Sequence, residues 1–129
     1  MRHARPWTIA VIALVLMSFP LYGTVLADGK ADQEKTITIQ GEVLDSACFI
    51  SHGAKGKKHK KCAVQCAKKG IPLAILAEDG TLYLLNEDHN NAAAYAAVRE
   101  RAGEVVKVTG RLIEKHGWKV VFVQKVEQP

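Results

Sequence analysis

Without the 27-residue leader described next, a chain of 129 residues leaves enough for one small domain with a modest core and too few for two. Residues 1–27 carry Arg2, Arg5 and no acid, so their removal lowers the formal charge from +5 to +3, far milder than a dedicated nucleic-acid binder shows. The cysteines number three, and an odd count cannot pair completely within one chain.

The N-terminus reads as an export signal. Arg2, His3 and Arg5 form a basic start, Trp7 to Phe19 an apolar run, and Pro20 and Gly23 break any helix before the small-residue pattern Val25-Leu26-Ala27. Cleavage is expected after Ala27, which makes the protein exported: periplasmic in a Gram-negative cell, otherwise secreted. An uncleaved anchor is the rival reading, because Trp7 to Ala27 is just long enough to cross a bilayer core of about 30 Å as a helix. Once the signal is cleaved, no stable membrane span is expected.

Residues 28–35 are polar and aperiodic and read as a flexible leader, followed by a single domain over 36–129. Ile37, Ile39, Gly41 and Val43 alternate with Thr36, Thr38, Gln40 and Glu42, the period of a half-buried strand. An insert at 46–70 follows. Gly53 to Lys61 reads as an exposed loop, then a short helix starts near Lys58 and stops at Gly70 and Pro72.

Residues 71–77 and 81–85 form a hairpin around Asp79-Gly80, a pair suited to a two-residue turn with positive φ at both positions. Asn90 or Asn91 caps an alanine-rich helix from Ala92 to Ala102, closed by Gly103. Val105 to Ile113 and Trp118 to Val126 are two further strands, with His116-Gly117 in the turn between them.

This order resembles an OB-fold over about residues 36–126: a mainly β, five-stranded Greek-key barrel with a helix between strands three and four and, here, a helix-bearing insert after strand one. Gly41 and Gly110 suit the bends such barrels need. With its signal, the chain resembles small exported bacterial OB-fold proteins. The fold alone does not supply a function.

The insert holds Cys48, His52, His59, Cys62 and Cys66. Spacings of three and four put His59, Cys62 and Cys66 on one stripe of a helix, and Cys48 arrives from the end of the first strand. Together they form three sulfurs and one imidazole, a set suited to zinc or to cuprous copper, with His52 as an alternative ligand. The C-x-x-x-C pair with a nearby histidine also resembles the copper site of exported copper-delivery proteins of the thioredoxin fold, a likeness confined to that motif.

Two other readings use the same residues. Cys48 can form a disulfide with Cys62 or Cys66, stapling the insert for about 3 kcal/mol and leaving a disulfide-stapled module whose barrel face binds a ligand or protein. Thiol redox chemistry or metal delivery is the other. It is disfavoured because Cys62 and Cys66 are expected inside or late in their helix, away from the N-terminal dipole that activates a dithiol. The spacing also rules out C-x-x-C-H haem attachment, and no phosphate-cradling glycine loop marks a nucleotide site.

From Ser46 to Ala77 there is no acid, while Lys55, Lys57, Lys58, Lys60, Lys61, Lys68 and Lys69 all fall there. The run is either a solvated loop or a docking point for an anionic partner. Nucleic acid is disfavoured: Phe49, Tyr83, Tyr95, Trp118 and Phe122 are the aromatics of 28–129, and most have plausible core positions. No nucleophile, base and orienter set is recognisable. The sequence therefore predicts an exported, non-enzymatic domain with a Cys/His site for copper or zinc.

Overall fold

The computed structural model of the protein describes residues 34–129. The expected signal at 1–27, its cleavage site and all of the leader before Glu34 lie outside the described residues. Among the described residues no helix is long and apolar enough to cross a membrane.

The elements are β1 (Lys35–Asp45), α1 (Ser46–His52), α2 (Lys60–Lys68), β2 (Leu73–Ala77), β3 (Leu82–Glu87), α3 (Ala92–Arg99), β4 (Val105–Lys115) and β5 (Trp118–Glu127). The strands close into a barrel in the order β1-β2-β3-β5-β4, with β4 returning to β1. All pairs are antiparallel except β3 with β5. This is the expected OB-fold-like barrel, and closure leaves it no open sheet.

Alternation places Val106 and Val108 of β4, Val121 and Val123 of β5, and Ile39 and Val43 of β1 in the interior beside Leu73, Ile75 and Leu85. Each such side chain is worth about 1.5–3 kcal/mol over its exposed state. Val98 of α3 closes the core on one side, and Ala63 and Ala67 of α2 on another. The two alanines are four apart, and their small size lets α2 lie close to the barrel. Cys62 and Cys66 immediately precede them, so the buried alanine stripe carries the sulfur stripe to the rim.

Glycine at 41 and 110 answers a close approach between strands. A Cβ on Gly41 would lie 2.3 Å from the Leu76 carbonyl oxygen, and one on Gly110 would lie 2.3 Å from that of Phe122. The β4/β5 register shifts at Thr109/Gly110, where the sequence suggested a bend.

Several local expectations are corrected. The insert contains two helices: α1 was not foreseen, and α2 begins at Lys60. Asp79 does not adopt positive φ; Gly80 alone does, its N–H bonds to the Ala77 carbonyl, and the Asp79 carboxylate accepts from Thr81 N–H. The paired positive-φ turn is instead His116-Gly117 (φ 50° and 84°). None of the five aromatics is fully buried, and Trp118 is 64% exposed. Asn91 provides the cap of α3, accepting from Ala94 N–H.

Candidate metal centre

Residues 46–72 leave the barrel and rejoin it at one rung. Asp45 pairs with Leu73 across β1 and β2, and Ser46 N–H donates to the Pro72 carbonyl at 2.9 Å. Both helices of the insert are thereby held over the same barrel end.

Asp45 starts α1. Its backbone is extended, and its Oδ1 accepts from Cys48 N–H at 2.9 Å, filling one of the orphan donors of a helix N-terminus. Gly53 ends α1 in the left-handed conformation (φ 65°), its N–H bonding to the Phe49 carbonyl at 2.8 Å. One turn later, Gly56 N–H is held by the Glu42 carboxylate. At the far end of α2, Gly70 N–H bonds to Ala67 and Ile71 N–H to Cys66, the double hydrogen bond of a glycine-terminated helix. The stop read at Gly70 is therefore where the sequence put it, and it fixes the backbone at Cys66.

Within this frame the sulfurs of Cys48, Cys62 and Cys66 all lie within 4.8 Å of one another, and all three are free thiols. An ion bonded to three sulfurs at about 2.3 Å needs them roughly 3.8–4.0 Å apart, so side-chain adjustment alone brings the set onto an ion. Cys62 is exposed, while Cys48 and Cys66 are half-buried. Cys62 is the third residue of α2, in its first turn, and not inside or late in the helix as expected.

His59 lies at the N-terminal boundary of α2, and its Nε2 is 2.8 Å from Asp45 Oδ2. Asp45, Cys48 and His59 form a second group with donor atoms within 4.8 Å. Of the four ligands read from the sequence, the three cysteines come together directly, while His59 joins through Cys48 and Asp45. His52 is exposed at the end of α1 and belongs to neither group.

Asp45 is the site residue that sequence reasoning missed. It caps α1, and its side chain is also fully buried. One signal was available: it is the last acid before the lysine-rich, acid-free insert.

The electrostatics follow from that carboxylate. Burial pushes the Asp45 carboxyl up, but the Cys48 N–H, His59 and the Cys48 thiol outweigh burial and hold it below its ordinary 3.8. The hydrogen bond to Asp45, then burial and the charges of Asp45, Cys66 and Cys62, push the Cys48 thiol from 9.0 up to about 12. Burial, followed by the hydrogen bond with Cys62, raises Cys66 as well. Without a cation, Cys48 holds its proton at neutral pH, so metal binding must displace it.

The frame reaches across the domain. Gly103, with φ 81°, donates its N–H to the Val43 carbonyl at 2.7 Å, and a Cβ there would lie 2.6 Å from Lys60 Cα. Lys60 pairs with Glu104 at 2.5 Å and Lys68 with Glu100 at 3.1 Å. Lys55, Lys57, Lys58, Lys61 and Lys69 remain exposed. On the other face of α1, Ala47 and Ile50 join Pro72, Leu82, Leu84 and Trp118 around an apolar groove of about 640 Å³.

Fold and site together define a small closed barrel whose insert carries a cysteine cluster able to hold a metal ion. Comparison with family models, with curated proteins and with solved structures finds no match to this chain.

Proposed function

We propose that this protein is an exported, non-enzymatic metal-binding domain that captures a soft ion, cuprous copper above all, on Cys48, Cys62 and Cys66. The observation that carries the reading is the convergence of the three sulfurs, within 4.8 Å of one another, from two different helices. Three sulfurs with few hard donors suit a monovalent soft ion. Exposed Cys62 meets the ion first. Cys48 and Cys66 then exchange their protons for it, and those protons pass to solvent. Asp45 and His59 hold the start of α1 against the start of α2, keeping Cys48 opposite Cys62. The neighbouring lysines offset the negative charge of a tris-thiolate site and leave a cationic rim for an anionic partner.

The test is a paired native and denaturing mass spectrum of the exported protein, isolated without added metal or reductant, alongside Cys48→Ser. A mass beginning at Asp28, reduced thiols and one bound ion that disappears in Cys48→Ser with the fold retained is the expected result. A metal-free mass two hydrogens short, with Cys48→Ser destabilised, would replace this reading by the disulfide-stapled module.

A further inference from the structure

The two overlapping donor groups differ in chemistry, and that difference predicts a second ion. Cys48, Cys62 and Cys66 offer sulfur alone. Asp45, Cys48 and His59 offer one carboxylate oxygen, one imidazole nitrogen and one sulfur, a set suited to a borderline divalent ion such as zinc. We propose that the cluster has two alternative metal positions sharing Cys48: an outer all-sulfur position for a cuprous ion and an inner Asp45–Cys48–His59 position for a zinc-type divalent ion. The proposal rests on the reading of the cluster as a metal site and adds an ion selectivity within it.

The geometry of the inner group carries the argument. The Asp45 side chain is fully buried and that of His59 is 18% exposed, so the pair sits below the sulfur rim. A buried carboxylate requires compensating positive character, which the His59 N–H and the Cys48 N–H supply. A divalent ion supplies more. Bound between Asp45 Oδ2 and His59 Nε2 at about 2.0–2.2 Å from each, it replaces the proton they share and opens their 2.8 Å separation by roughly half an ångström. That proton and the Cys48 thiol proton leave to solvent, and water fills the fourth tetrahedral direction. Asp45 Oδ1 stays on the Cys48 N–H, so the helix cap survives loading.

Cys48 completes either set and belongs to one ion at a time, so the positions exclude each other. A cuprous ion arriving at exposed Cys62 draws Cys48 outward and leaves the inner ion two protein donors. Loading with the soft ion therefore expels the divalent one.

The test titrates the reduced, metal-free protein anaerobically with cobalt(II), the coloured stand-in for zinc, and separately with cuprous ion against a chromophoric chelator. Sulfur-to-cobalt charge-transfer intensity counts the thiolates on cobalt. The expected results are one thiolate on cobalt, release of cobalt by one equivalent of cuprous ion, and opposite patterns in two sets of variants. The double variant Cys62→Ser/Cys66→Ser keeps cobalt and loses cuprous affinity; Asp45→Asn and, at the less buried partner, His59→Gln, whose side chains can still hydrogen-bond across the joint, lose cobalt and weaken cuprous binding by a much smaller factor. Each loss exceeds about tenfold, the least that even an outer partner of a metal ligand costs. Far-UV circular dichroism checks that every variant folds.

Three thiolates on cobalt, or parallel loss of both ions in both sets of variants, overturns the two-position scheme while leaving a metal site. Cuprous binding without cobalt binding does the same. A wild-type protein that binds neither ion removes the metal site itself and the scheme with it.

Discussion

Asp45 joins the barrel to the cluster, and Asp45→Ala measures how much the fold depends on that joint. Removing an N-cap acceptor costs about 1 kcal/mol. The substitution also removes the hydrogen bond between the partly solvated His59 ring and the Asp45 carboxylate, worth about another 1–2 kcal/mol. The Cys48 N–H and the His59 ring lose their partner, and the expected total is roughly 2–3 kcal/mol. For a domain of this size that lowers Tm by roughly 10–20 °C. Asp45→Asn separates the contributions, because asparagine caps as well as aspartate and surrenders only the charge; it should cost about 1 kcal/mol. The assay is urea and thermal unfolding by far-UV circular dichroism at pH 7 with reductant and chelator present, so that no ion contributes. If Asp45→Ala falls within about 0.5 kcal/mol of wild type, or Asp45→Asn matches it, the joint described here is wrong.

Gly41→Ala and Gly110→Ala should each destabilise the domain strongly and independently of metal, since each Cβ meets a backbone carbonyl that side-chain movement cannot relieve; denaturant midpoints for the two variants check this. In the metal-free protein, iodoacetamide should modify Cys62 first and Cys48 last: with a thiol pushed up to about 12, only about one Cys48 in ten thousand is thiolate at pH 8. Peptide mapping against time gives the order, and the Cys48 rate should rise about tenfold per pH unit up to pH 11. The Asn90 N–H, followed by Gln124, holds the Asp88 carboxyl below its usual value against the opposing effect of burial. The folded state therefore favours the charged form, a stabilisation present above about pH 4 and lost as pH falls through the lowered value. Asp88→Asn should be less stable than wild type at pH 7, with the gap narrowing by pH 3; an unchanged gap would rule this out.

Barrel and helix stops were readable where one residue type answers one local demand. Gly70 ends α2, Asn91 caps α3, and Gly41 and Gly110 meet a neighbouring strand, each a requirement that chain composition announces. Ser46–His52 is too short to display a helical period, and α1 depends on a cap and a left-handed glycine outside it. The cysteine cluster followed from spacing along α2 plus a guess that Cys48 would fold back. The pairing of His59 with Asp45 did not, because it arises from where β1 ends relative to α2, which sequence distance does not encode. Trp118 belongs to the same class: it follows a two-residue turn at a rim, and its exposure depends on where the barrel stops.

Gly103 touches both walls of the site while contributing no donor atom. It is bonded to β1 two residues before Asp45 and lies against the residue that follows His59. An alanine there has to lift α2 from β1, spreading Cys62 and Cys66 away from Cys48. Surveys of variants scored by metal content alone would assign position 103 to the ligand set, and efforts to transplant the insert onto another barrel would fail without it. The unit to be grafted is therefore discontinuous: residues 45–73 together with the turn that ends α3.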